Sequence, residues 1–285
     1  MRLAYQITAH QNPEQLVNLL AAIHHPDNLY LLQLDSKSLS GQEAPLQRFA
    51  REHPNLIIAP PSDLRWASWS LMQARLDGIA RLLARPEPWQ MLINLSGQDF
   101  PLQSQEAIRA WFDGKAGQNF LEHFDPHQHW IDPMARIERI RLELPFMASG
   151  WNVPKIRRDR WTPHLGANTR YVGGSRYMVL NRAFCEYLMQ SPRLPAWKQA
   201  MARTYRPDEV MVQSFIMNSP FADSVQNRHF HEVDWSEGGS HPKVFTMADL
   251  PRLNASTQLF ARKFDSALDA GVLSQLATRL KELGR

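Results

Sequence analysis

Cysteine is nearly absent: Cys185 is the only one in 285 residues, so neither an intrachain disulfide nor a cysteine-based zinc site can exist. Long apolar runs are absent too. Nowhere do about 18 consecutive apolar residues occur, the length a membrane-crossing helix requires, so no segment reads as a span. Met1-Arg2-Leu3-Ala4-Tyr5-Gln6-Ile7-Thr8-Ala9-His10 shows no secretory cleavage pattern. The expectation is a cytoplasmic protein, with peripheral contact at the inner face of a membrane as the membrane association to consider. Repeats and low-complexity tracts are missing as well. A net charge of +4 is too small to indicate a nucleic-acid binder. It gives only a weak attraction for anionic ligands.

What is present is ordinary globular material, 44% hydrophobic and 21% charged, enough to bury a full core and to argue against disorder. Strand-like and helix-like patterns alternate along the first half. Leu3 to Thr8, Leu29 to Leu34, Asn55 to Ala59 and Trp89 to Leu95 read as strands. Pro13 to Ile23 and Ser68 to Ala84 read as helices between them. Such alternation predicts an α/β fold with a mostly parallel sheet. Ligands bind beyond the carboxyl ends of the strands in these sheets, which draws attention to Asp35 and to the turn Ser96-Gly97-Gln98-Asp99. The middle, about Glu122 to Asn168, is irregular and rich in Arg, His, Pro and Trp, and reads as a functional loop region. Beyond it, Tyr177 to Leu180 predicts a strand and Asn181 to Met189 a helix. Pro207 to Met217 predicts a helix with proline in its first turn, Gln258 to Phe264 a strand, and Ala267 to Leu283 a final helix.

Several groupings carry chemistry. In Arg206-Pro207-Asp208-Glu209, an acid at a helix start is either a dipole-stabilised capping residue or a general base. In Leu259-Phe260-Ala261-Arg262-Lys263-Phe264, two adjacent cations on a strand point to opposite faces. They are a solvated pair, or one of them neutralises a departing diphosphate, with Lys243 of Ser240-His241-Pro242-Lys243 as a second cation. Val172-Gly173-Gly174-Ser175 is glycine-rich but has no phosphate-loop spacing. His127 with His129, and His229, His231, Glu232 and Asp234, alternate in a way that could ligate a metal, although H-E-x-x-H is absent. The acidic pair D-x-D, by which many nucleotide-sugar enzymes hold a divalent ion, is also absent, Glu232-Val233-Asp234 being the nearest imitation. Lys155, Arg157, Arg158 and Arg160 form the densest basic cluster, either a solvated face or a contact for an anionic glycan or membrane surface.

Read in order, the chain resembles the core-2/I-branching β-1,6-N-acetylglucosaminyltransferases and the related peptide O-xylosyltransferases. The resemblance is carried by Tyr5 to His10, Asn12-Pro13-Glu14-Gln15-Leu16, His25-Pro26-Asp27-Asn28, Asp35 and Asn94-Leu95-Ser96-Gly97-Gln98-Asp99-Phe100-Pro101-Leu102. It continues through Gly174-Ser175-Arg176-Tyr177, Pro207-Asp208-Glu209, Asn218-Ser219, Asp234-Trp235-Ser236 and Leu259 to Phe264. It implies a single GT-A type glycosyltransferase domain over 1–285, with a donor half about 1–120 and an acceptor and catalytic half about 121–285. It implies inverting, metal-independent transfer, GlcNAc being the expected sugar, from a UDP-sugar to an acceptor hydroxyl on a glycan, with no cofactor. Glu209 is the implied base, and Lys263 and Lys243 the implied diphosphate contacts. Asp35, Asp99 and Ser175 are implied on the donor side; Glu122 and Trp235, with Arg136 and Arg139 loosely placed, on the acceptor side. Three alternatives stay open: a UDP-xylose-dependent peptide O-xylosyltransferase, a metal-dependent hydrolase built on His229, His231, Glu232 and Asp234, and a non-catalytic glycan-binding protein.

Overall fold

The computed structural model describes residues 1–37, 41, 43–125, 139–140, 156–157, 165–166, 168–239 and 241–284. They belong to two compact units interleaved along the chain. The first unit is Met1–Ser62, Pro86–Ala116 and Phe230–Arg285; the second is Asp63–Arg85 and Gly117–His229.

The first unit is built on four parallel strands, β1 (Leu3–Ala9), β2 (Leu29–Leu34), β3 (Leu56–Ile58) and β4 (Met91–Ser96), in the order β4-β1-β2-β3. Strands of parallel sheets are covered on both faces and read as near-continuous apolar runs. Leu-Tyr-Leu-Leu-Gln-Leu of β2 is buried at every position. The Tyr5 and Tyr30 rings stack across the β1–β2 register with centroids 5.3 Å apart. Among the polar members, the Gln6 side-chain amide donates to Gln33 at 2.7 Å. Helix Pro13–Ile23 buries Leu16, Leu19, Leu20 and Ile23, one stripe at helical spacing. A smaller sheet in the same unit pairs β5 (Asp99–Pro101) antiparallel to Phe260–Arg262, which runs parallel to His231–Val233. The final helix, Ala270–Leu283, starts three residues later than the pattern predicts because the Asp269 carboxylate caps the Gly271 and Val272 amides.

In the second unit, helix Trp69–Leu83 begins where the Ser68 side chain accepts from the Ser70 amide, and buries Met72, Leu76, Ile79 and Leu82. Asn119–Leu121 pairs antiparallel with Met178–Asn181 and parallel with Val225–Gln226. Asn181 caps helix Arg182–Gln190 through the Phe184 amide at 2.7 Å. Cys185 on that helix is fully buried, and burial pushes its thiol pKa up, so it is no ready nucleophile. The predicted helix Pro207 to Met217 is in fact two pieces, a tight turn Pro207–Glu209 and helix Met211–Met217. The break has a tertiary cause: the Glu209 carbonyl accepts the Gly174 amide at 3.0 Å.

Short helices Ala44–Glu52, Gln105–Phe112 and Leu194–Met201 were not legible in the pattern. Each spans only two to three turns, too few for the periodicity to stand out. Of the irregular middle, Arg139–Ile140 and Ile156–Arg157 form a two-stranded antiparallel ladder. His127, His129, Arg136, Lys155, Arg158, Arg160 and Ser240 lie outside the described residues.

The Tyr30 hydroxyl gathers the turn after helix Pro13–Ile23: it donates to the Ile23 carbonyl at 2.5 Å and accepts from the His25 amide at 2.9 Å and the Asn28 side chain at 3.3 Å. Tyr30→Phe strands these groups around a buried site and is expected to cost about 1–3 kcal/mol. Urea unfolding should show a lower midpoint at unchanged slope.

Candidate functional site

In the first unit the carboxyl ends of β1, β2 and β4 are tied together. The Asp35 amide donates to the Ala9 carbonyl at 2.9 Å, and the buried Asp35 forms a bridge with Ser62. Gly97 follows β4, and a Cβ there would stand 2.9 Å from that of Ala9, so only glycine lets the turn lie this close to β1. Gln15 closes the arrangement. Its amide nitrogen donates to the Gly97 carbonyl at 2.8 Å and the Phe264 carbonyl at 3.2 Å, and its oxygen accepts the Ser266 amide at 2.7 Å.

Asp99 anchors the turn from inside. It is 0% exposed, and its carboxylate accepts the Ser96 amide at 2.6 Å, the Ser96 hydroxyl at 2.9 Å and Arg262 Nη1 at 3.0 Å. The His231 imidazole stands 3.6 Å away, longer than a normal hydrogen bond but close enough to act electrostatically. Burial by itself would raise the Asp99 pKa; the histidine and the Arg262 charge outweigh it and hold the carboxyl below its usual range. Asp99 therefore fixes the turn after β4 and strand Phe260–Arg262 from inside.

Lys263 and Lys243 are each held by a backbone hydrogen bond. The Phe245 amide donates to the Lys263 carbonyl at 2.8 Å, and the Lys243 amide to the Asp234 carbonyl at 2.8 Å. Lys263 is half-buried, and burial, then the Arg262 charge, depress its pKa against the opposing pull of Asp265. The Lys243 ammonium is hydrogen-bonded to Asp249 at 2.6 Å, which raises its pKa. Trp235 is 56% exposed in the same loop. The loop is pinned by Arg252, whose guanidinium reaches Asp234 at 2.5 Å and Glu232 at 2.7 Å.

In the second unit the structure gathers Glu209, Ser175 and Glu122. A Cβ on Gly174 would collide with the Glu122 carbonyl oxygen, so glycine is required where these segments touch. The Ser175 amide donates to the Glu122 carboxylate at 3.1 Å, and Gln213 donates to the Ser175 carbonyl at 2.8 Å. Beneath the Pro207–Glu209 turn lies Arg75, fully buried, its pKa lowered by desolvation to about 10, donating to the carbonyls of Asp208 at 3.3 Å and Arg176 at 2.7 Å. Arg176 pairs with the Asp208 carboxylate at 3.5 Å. Glu209 is paired with Arg206 at 3.1 Å while its side chain remains 19% exposed.

The ligand set of the hydrolase alternative is not assembled. His231 faces Asp99, Glu232 and Asp234 are held by Arg252, and His229 stands 3.9 Å from Glu122. Among the described residues no three His, Cys, Asp or Glu side chains converge as metal ligands. Gln15, Arg75, Arg206 and Gln213 went unassigned in the sequence. Only Arg206 had a local signal, its i,i+3 spacing to Glu209.

Residues 3–256 match the family described as Core-2/I-Branching enzyme, and the chain belongs to that family. Among its relatives, the mouse β-1,3-galactosyl-O-glycosyl-glycoprotein β-1,6-N-acetylglucosaminyltransferase 4 is 29% identical over 99% of this chain and 66% of its own length. Dog xylosyltransferase 1 is 26% identical over 97% of this chain and 30% of its own. The chain thus spans under two thirds of the length of both. The galactosyltransferase LgtC structure covers 98% of this chain and is covered to 96%, at 11% identity and a TM-score of 0.49, too remote to define the fold. Among the described residues no helix is long and apolar enough to cross a membrane.

Asp99→Asn leaves the partly shielded Arg262 guanidinium without its carboxylate and is expected to cost about 1–3 kcal/mol at neutral pH. Because the folded Asp99 pKa is depressed, its stabilisation is present above the unfolded value of 3.8 and is lost as pH falls through the lower folded value. Thermal melts of both proteins should therefore converge in acid; a gap unchanged with pH would mean that the charge is not responsible.

Proposed function

We propose that this chain is an inverting, metal-independent glycosyltransferase of GT-A type that moves GlcNAc from UDP-GlcNAc to an acceptor hydroxyl on a glycan. The observation that carries the reading is the state of Glu209: a carboxylate held by Arg206, partly shielded and still reachable, on a turn whose backbone meets Gly174 next to Ser175. In the proposed step Glu209 takes the proton of the acceptor hydroxyl. The acceptor oxygen bonds to the anomeric carbon as the bond to the diphosphate oxygen breaks, and UDP leaves with the electron pair. An α-linked donor gives a β-glycoside. The charge gathering on the diphosphate falls to Lys263 and Lys243. For Lys243 this means exchanging Asp249 for the phosphate. The absence of D-x-D from the sequence supports lysine rather than a divalent ion in that role. Asp35 and Ser175 are assigned to the donor, Trp235 and Glu122 to the acceptor, an exposed indole being a natural face for a sugar ring.

Peptide O-xylosyltransfer from UDP-xylose is the second reading, favoured by the likeness to xylosyltransferase 1 along 97% of this chain. A donor panel separates the two by which nucleotide sugar releases UDP. The same chemistry would serve a cytoplasmic enzyme working beside a membrane, with Lys155 to Arg160 as the contact.

Calorimetry of UDP in excess EDTA is expected to show binding near neutral pH. Lys263 binds phosphate as the ammonium, and its free-state pKa lies below the ordinary 10.5, so affinity should be full below that lowered value and fall as pH rises through it. Lys263→Met should bind weakly at all pH. Binding that returns only on adding Mn²⁺ would overturn the assignment of the lysines.

Glu209→Gln is expected to keep wild-type UDP affinity while turnover drops at least about 100-fold. Near-normal turnover in that variant would remove Glu209 from the role of base.

A further inference from the structure

Arg206 is built into the turn more firmly than an ordinary surface arginine. Its backbone is left-handed, φ 50° and ψ 59°, a conformation non-glycine residues adopt only when their surroundings over-determine it. Its amide donates to the Ala67 carbonyl at 3.0 Å, and its carbonyl accepts the Glu209 amide at 3.1 Å. Ala67 is itself left-handed, φ 61°. The guanidinium carbon stands 4.7 Å from the Trp66 ring centre and 5.6 Å from that of Tyr205. Those two rings meet nearly edge-on, 6.1 Å apart at 81°. From this corner Nη1 donates to Glu209 Oε1 at 3.1 Å.

An exposed i,i+3 ion pair is ordinarily worth little, because two long side chains must be ordered in water. Here the ordering is already done by the aromatic corner: a planar guanidinium against ring faces has its donors aimed in advance. Both partners are largely shielded, 20% and 19% exposed. The other charged groups on the elements packed around the turn point to different tasks. Arg75 holds the Asp208 and Arg176 carbonyls, Arg176 pairs with Asp208, and Glu122 receives the Ser175 amide with His229 nearby.

The geometry points to Arg206 as the positioning residue of Glu209: a guanidinium clamped by Trp66 and Tyr205 that holds the carboxylate in the orientation from which it takes the acceptor's proton. This rests on the reading of Glu209 as the base. Arg206 touches no reacting atom and acts through Glu209 alone.

The test compares Arg206→Ala, Arg206→Gln, Glu209→Gln and the double variant Arg206→Ala/Glu209→Gln with the wild-type chain. It follows UDP released from UDP-GlcNAc or UDP-xylose, whichever the wild type turns over faster, water serving as acceptor if no sugar is added. Arg206→Ala should lose about 10- to 100-fold in kcat, the scale of a misplaced catalytic group, with UDP affinity by calorimetry unchanged. The double variant should be no slower than Glu209→Gln, since two residues acting as one unit are not additive. Guanidinium chloride at non-denaturing concentration should restore part of the Arg206→Ala rate, matched NaCl should not, and Glu209→Gln should respond to neither. Should Arg206→Ala fail to fold, Arg206→Gln, which keeps the stem and drops the charge, carries the same expectations for kcat and UDP affinity. A normal kcat for the Arg206 variants beside a crippled Glu209→Gln overturns this inference and leaves the base in place. Losses that multiply in the double variant overturn it too. Normal turnover in Glu209→Gln, or no UDP release by the wild type, brings down the underlying reading instead.

Discussion

The first unit depends on one carboxylate that has no access to water. Asp99 sits directly across the ladder from Arg262, and each is the other's counter-charge. A buried carboxylate without that partner would be strongly destabilising, so the pair discriminates against any other register for strand Phe260–Arg262. Lys263 inherits its place from this constraint, being the next residue along. Through the Phe245 amide the segment leading back to Lys243 inherits it as well. A long, flexible cation is thereby set on a rigid base, which reduces the ordering cost whenever it meets an anion.

The second unit reaches a comparable end with backbone groups. Gly174 permits a contact that any side chain would forbid, and its amide takes up the Glu209 carbonyl. Arg75 and Gln213 engage the remaining carbonyls around the turn. With the main chain satisfied in this way, the Glu209 side chain can stay partly exposed without the turn loosening. Buried main-chain groups that are partnered favour one conformation, which would suit the base role proposed for Glu209.

Membership of the Core-2/I-Branching family and the assignment of Glu209, Lys263 and Lys243 rest on different grounds. The first is a match along residues 3–256. The second is what the resemblance implies for these positions, and the state of each group accords with it: Glu209 held but reachable, Lys263 half-buried beside Arg262, Lys243 resting on Asp249. A cation that rests on an internal carboxylate is stabilised until a more highly charged anion competes for it.

Strands β1 and β2 and helix Pro13–Ile23 were legible in the sequence because burial in a layered sheet imposes a period that a short window displays. The motifs holding Asp35, Asp99, Glu209 and Lys263 were legible as well, as residue types at suggestive positions. What these residues face could not be read there. Whether Asp99 meets a ligand or an arginine depends on a partner 163 positions away. Whether Pro207 to Met217 is one helix or two depends on the amide of Gly174, and whether His231 binds metal depends on its nearness to Asp99. The sequence by itself determined where the chain forms strands and helices and which chemical groups it carries. Only the tertiary structure decided which of those groups are engaged inside and which remain available, because pairing between distant segments leaves no periodic trace in any one of them.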